Sequence, residues 1–122
     1  MIILLTGLVL TGSCNSKEKI PADILKPEKM QAVLWDVMKA DAFTTDYIKK
    51  DSSKNAAAEN LKLQQQVFAI HKISKEDFYR SYDYYKTNPV VFKKIVDSII
   101  AQAERNKYIN PKVSSAKMLQ AE

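Results

Sequence analysis

From residue 27 to residue 109 the apolar side chains recur every three or four positions, and nowhere do they alternate with polar ones over a useful length. That period belongs to the α-helix, so whatever core this chain builds must be made of helix faces. The most regular stripe is Phe92, Ile95, Val96, Ile99, Ile100 and Ala103, with Lys93, Lys94, Asp97, Gln102 and Arg105 on the opposite side. Met30, Val33, Leu34, Val37 and Met38 form a second stripe, predicting a helix from Pro27 through Ala42 to about Ile48. Leu63, Val67 and Ile70, widened by Leu61 and Phe68, predict another from Ala56 to about His71. Phe78, Tyr82 and Tyr85 line a fourth, which ends by Thr87.

Boundary signals agree with these spans. Pro27 suits the first helical position, where its missing N–H would be unpaired anyway, and Leu25 and Met30 stand at the ends of a hydrophobic staple. Residues 51–55 make a polar break, and three alanines restart the helix. Ser74 and Asp77 form a capping-box pattern, flanked by Ile73 and Phe78 as a staple. Asn88 followed by Pro89 marks the last start, and Asn110 followed by Pro111 stops it. A chain of 122 residues is a prior for one small domain. Four helices with short connections predict an all-α fold, a small antiparallel bundle over residues 27–108, with 109–122 as a flexible tail.

The front end reads as an address. The apolar run from Ile2 to Leu10 is too short for a bilayer span, which needs roughly 20 residues, but has the length of a signal-peptide core. Leu10, Thr11, Gly12 and Ser13 lead into Cys14, and this pattern resembles a bacterial lipobox. The resemblance implies a lipoprotein signal peptide over residues 1–13, a diacylated Cys14 and a tether over residues 14–26. Two acyl chains hold a membrane stably where one does so marginally. Ile20, Ile24 and Leu25 are expected to dock the end of the tether. No Lys or Arg precedes the run, so a basic segment is expected upstream of Met1.

Composition excludes several chemistries. Both glycines, Gly7 and Gly12, precede Cys14, so the rest of the chain has no glycine loop to cradle phosphate. A single cysteine excludes an internal disulfide and multi-cysteine zinc sites, and a single histidine excludes multi-histidine metal sites. The expectation is no metal, no cofactor, no small-molecule substrate and no enzyme activity.

What remains are candidate contact residues. His71 has no partner acid at fixed spacing and reads as a capping or surface residue at a helix end. Asp36 and Asp41 are five apart and point to different faces, so they form no acid–base dyad. Asp41 falls on the apolar stripe, where a carboxylate must be hydrogen-bonded or partly exposed. It reads as a polar contact to another helix, through a tyrosine hydroxyl or a lysine, or as a partner-binding acid. Phe78, Tyr82 and Tyr85 are expected in the core, whereas Tyr79 or Tyr84 must look outward. Tyr79, Tyr84 and the off-stripe Trp35 are therefore candidate partner-binding residues. Nineteen Lys and Arg against 14 acids give a net charge of +5, which suits anionic headgroups near the anchor better than nucleic acid.

Residues 20–30 (IPADILKPEKM) and 36–42 (DVMKADA), then 67–78 (VFAIHKISKEDF), 81–85 (SYDYY) and Asn88 with Pro89, together resemble a family of unknown function, domain-of-unknown-function family 4296, of Bacteroidota envelope lipoproteins. The resemblance covers roughly residues 20–105, and its second half is the more specific. Lys26 departs from the Ser-type cap common there, a matter of helix stability. The family implies a helical envelope lipoprotein and no activity. The expected role is thus a membrane-anchored lipoprotein on the periplasmic side of the outer membrane, acting as an accessory subunit that binds a protein partner. The alternative is a periplasmic peptide-binding or chaperone-like module.

Overall fold

The computed structural model describes residues 19–109. Residues 1–18, which include the lipobox-like run and Cys14, and residues 110–122, the expected tail, lie outside the described residues. The chain folds as a small all-α bundle of four helices: α1 (Pro27–Phe43), α2 (Ala56–His71), α3 (Lys75–Lys86) and α4 (Pro89–Ile109). Among the described residues no helix is long and apolar enough to cross a membrane.

Helix α1 is the hub. Met30 and Val33 are fully buried, with Val37 and Ala40 continuing the same face. Around that face gather Val67 and Phe68 of α2, Phe78 and Tyr85 of α3, and Val91, Ile95 and Ile99 of α4. Asp36 pairs with His71, and Asp41 with Asn60 and Gln64, so α2 runs antiparallel to α1. Helices α3 and α4 form a hairpin closed over Tyr82 and Phe92, whose rings meet edge-to-face at 6.0 Å. Among the described residues every pair of helices approaches closely, backbone to backbone, except α2 and α4.

Helix ends follow local chemistry. Asn55 caps α2, its side chain accepting from the Ala58 N–H at 3.1 Å. Ser74 and Asp77 form the predicted capping box, the Asp77 N–H donating to Ser74 Oγ at 3.0 Å and the Ser74 N–H to Asp77 Oδ2 at 3.1 Å. Lys26 makes no side-chain cap, and α1 begins on Pro27 alone. Asn88 does something other than expected. Its side-chain amide turns back and donates to the Tyr84 carbonyl at 2.7 Å, capping the end of α3, while its own carbonyl accepts from Phe92 N–H to start α4. The stretch predicted to extend α1 to Ile48 is helical, but Thr44–Ile48 is a π turn closed by the Lys49 N–H on the Thr44 carbonyl. The buried Thr44 hydroxyl donates to the Ala40 carbonyl, a back-bond that perturbs an α-helix.

The segment before α1 is docked as its apolar residues predicted, and side chains of α3 hold its backbone. The Leu25 N–H donates to Ser81 Oγ at 2.8 Å, and the Leu25 carbonyl accepts from Tyr85 Oη at 2.6 Å. Ser81 and Tyr85 stand one turn apart and are both fully buried. Arg80 adds a bond to the Asp23 carbonyl at 3.3 Å. A buried peptide group left unpaired costs about 1–3 kcal/mol, so the clamp fixes where the chain enters the bundle.

Two outcomes are expected. Tyr85→Phe leaves the Leu25 carbonyl without its donor and should cost about 1–3 kcal/mol in urea unfolding. Burial first, then the Tyr84 and Glu28 charges, pushes the Tyr85 phenol up from 10.0 to about 12. A raised phenol contributes stability below its unfolded value and loses it as pH rises from 10.0 towards 12; in Tyr85→Phe that alkaline loss should shrink. The second concerns the end of α2, where Lys72 sits at φ 55°, ψ 44° in the left-handed region. Its N–H bonds the Ala69 carbonyl and that of Ile73 the Phe68 carbonyl, a Schellman motif built without glycine. Lys72→Gly should raise stability by up to about 1 kcal/mol, measured as a higher Tm, since the left-handed conformation costs a side-chain-bearing residue roughly that much.

Candidate functional site

Because α2 and α4 both pack on α1 without reaching each other, a half-open groove of about 450 Å³ runs between them. Leu34, Val37, Met38 and Asp41 come from α1, Phe78, Tyr79 and Tyr82 from α3, Phe92, Val96, Ile99 and Ile100 from α4, and Gln64 from α2. The lining is mostly apolar. Phe78 and Ile99 are buried in its floor, while Met38 (47% exposed), Ile100 (51%) and Tyr79 (42%) stand at its lip. Such contiguous apolar exposure on a small domain marks an interaction surface. The aromatic stack that shapes one wall is continuous: Phe68 to Phe78 at 5.2 Å, Phe78 to Tyr82 at 6.1 Å, then Tyr82 to Phe92.

One rim is polar. Asp41 Oδ1 accepts from Asn60 Nδ2 at 2.9 Å and from Gln64 Nε2 at 3.3 Å. Gln64 Oε1 in turn accepts from the Tyr79 hydroxyl at 3.5 Å. Asp41 is exposed and makes the expected contact to another helix, but with amides rather than with a tyrosine hydroxyl or a lysine. The physical reason is position: α2 brings Asn60 and Gln64, one turn apart, beneath the carboxylate, and Tyr79 reaches only as far as Gln64. Asn60 Oδ1 is left buried without a donor among the described residues.

Of the four candidate contact residues, the structure brings Asp41 and Tyr79 together at this groove and leaves the other two elsewhere. Trp35 is half-buried against the core, with Lys39 Nζ 5.7 Å from its ring centroid. Tyr84 is half-buried edge-to-face on Tyr85 at 5.3 Å. Tyr82, expected in the core, is only half-buried because it faces the groove. Met38, Val96 and Ile100 read in sequence only as members of apolar stripes, and Gln64 gives no signal at all. Their apolar or neutral side chains carry no chemical signature, and only the gap between α2 and α4 turns them into a surface. Other large apolar side chains, including Ile70 and Val90, are exposed away from it.

A second polar cluster corrects the expectation for His71. Its Nε2 meets Asp36 Oδ2 at 2.6 Å, with the imidazole 14% exposed. The partner acid lies on another helix, 35 residues away, where spacing along one helix cannot reveal it. Lys39 Nζ holds the other carboxylate oxygen at 2.6 Å. The cluster ties the C-terminal end of α2 to the middle of α1. Among the described residues no three His, Cys, Asp or Glu side chains are grouped so as to hold a metal.

Burial pushes the Asp36 carboxyl up, but hydrogen bonds and charges from Lys39 and His71 outweigh it and hold it below the ordinary carboxylate value. A depressed acid contributes stability above its unfolded value and loses it as pH falls through its folded one. Asp36→Asn is therefore expected to flatten the acid limb of a stability–pH curve below about pH 4. An unchanged limb would show that the cluster adds nothing to folding.

Comparison with known proteins adds a family. No curated protein and no solved structure matches the chain. Residues 21–108 match the family described as Domain of unknown function (DUF4296). The match takes in Leu25 and its clamp, the four helices but for the last residue of α4, and every residue of the groove, and the chain therefore belongs to that family.

Proposed function

We propose that this protein is a membrane-anchored envelope lipoprotein, held by lipid on Cys14, whose helical domain is a non-enzymatic accessory subunit binding a protein partner at the outer membrane, on the periplasmic side. The observation that carries the binding role is the groove, with Met38, Tyr79 and Ile100 at its lip and an aromatic wall behind them. A surface of that kind costs free energy to leave in water and recovers it on contact with a complementary apolar face. The anchor rests on the lipobox-like residues 10–14. What such an anchor would attach to is the docked segment, where Ile20 and Ile24 pack on the core and α3 holds Asp23 and Leu25.

The test is a gentle-detergent pull-down of the tagged, full-length protein from its own membranes, with mass spectrometry of the eluate. One partner at near-equal stoichiometry is expected, together with labelled palmitate on the protein and none on Cys14→Ala. Many substoichiometric partners would replace the accessory role by a chaperone-like one. An eluate at background level would overturn both, and label persisting on Cys14→Ala would overturn the anchor.

A further inference from the structure

The groove's charge pattern narrows the kind of partner it fits, an inference that rests on the binding role proposed above. Asp36, Asp51, Asp77, Asp83 and Asp97 each hold a Lys or Arg within salt-bridge distance. Asp41 does not. Its only partners among the described residues are the amides of Asn60 and Gln64, both on Oδ1, so Oδ2 of this exposed side chain has no donor among them. Beside it the Asn60 Oδ1 also lacks one. At this corner of the groove the Asp41 carboxylate therefore has amide partners and no cation, while Lys75 and Lys86 lie over the rings of Tyr79 and Tyr82 at 5.9 and 5.1 Å. The shape is equally specific. Floor and walls are helices, the fourth side is open because α2 and α4 do not meet, and Met38 and Ile100 flank the opening. That is the geometry in which an amphipathic helix lays its apolar face.

We propose that the groove takes an amphipathic helix of a partner protein, with apolar side chains at i, i+3 or i+4, and i+7 and a Lys or Arg flanking that stripe to pair with Asp41. The apolar anchors pack between Val96, Ile99 and Ile100 on one side and Leu34 and Met38 on the other. The base satisfies the open carboxylate oxygen and fixes the helix's direction, as charged groups at interfaces set register and exclude wrong partners.

The probe is a pair of fluorescein-labelled helical peptides with one leucine stripe, flanked by Lys in the first and Glu in the second. Binding to the full-length protein is read by anisotropy. The Lys peptide should bind at least about tenfold tighter than the Glu peptide, and Asp41→Lys should reverse the order. Asp41→Asn, whose Oδ1 can still accept from Asn60 and Gln64, should abolish the preference at little cost in Tm, and Ile100→Glu should weaken both peptides. Equal affinities in the parent protein, or a preference that survives Asp41→Asn, would overturn the proposal. So would a rise in affinity on removing residues 110–122, which would give the groove to the chain's own end, or dimerisation lost in Ile100→Glu, which would give it to a second copy. If the pull-down still recovers one partner with Asp41→Lys, this docking mode fails while the accessory role stands.

Discussion

One face of α1 has to serve three other helices, and the rest of the architecture follows from that constraint. Met30 and Val33 are buried completely in the one core cluster to which α2, α3 and α4 all contribute. A helix about 10 Å across offers room for only so many neighbours at packing distance. With α3 and α4 joined by a short connection and α2 tied on by Asp36–His71 and by Asp41 with Asn60 and Gln64, the two outer helices share α1 without sharing an edge. The groove is the volume this arrangement leaves unfilled.

Lining that groove with Met38, Ile100 and Tyr79 is unfavourable in isolation. Each exposed apolar side chain forgoes roughly 1–3 kcal/mol that burial would supply. The domain tolerates them because its core is secured elsewhere. Phe78, Ile95 and Ile99 are almost wholly covered, and Tyr85 is fully buried while its hydroxyl satisfies the Leu25 carbonyl. The aromatic wall from Phe68 to Phe92 then stays in place without a ligand, so the surface is held open in advance and binding needs little reordering.

Backbone groups at the ends of elements are handled with side chains and left-handed turns rather than glycine, which the described chain lacks altogether. Lys72 takes the position where glycine is usual, Asn88 caps the helix behind it and opens the one ahead, and Ser81 with Tyr85 satisfies both backbone polar groups of a single residue, Leu25. These bonds join segments distant in sequence as well as neighbours. The bonds to Leu25 set how the docked segment from Ile20 lies against the bundle, and so how a partner seated in the groove would be presented to whatever the preceding residues are attached to.

Much was legible in the residues themselves. Helical periodicity, Pro27, the Ser74–Asp77 box and Pro89 marked the starts of α1, α3 and α4, and the alanines at 56–58 that of α2, because each signal acts within a turn or two. Asp41 and Tyr79 were recognisable as misfits on their helices, since a carboxylate on an apolar stripe and too many tyrosines for one face are local contradictions. What local rules could not supply was pairing. The acid for His71, the clamp on Leu25 by residues 56 and 60 positions away, and the company of Met38, Gln64 and Ile100 around one opening depend on which helix lies against which. The sequence by itself determined an all-helical domain and its element boundaries, through short-range hydrogen bonding and hydrophobic period. Only the tertiary structure decided that α2 and α4 stand apart, because that follows from the competition of three helices for one buried face.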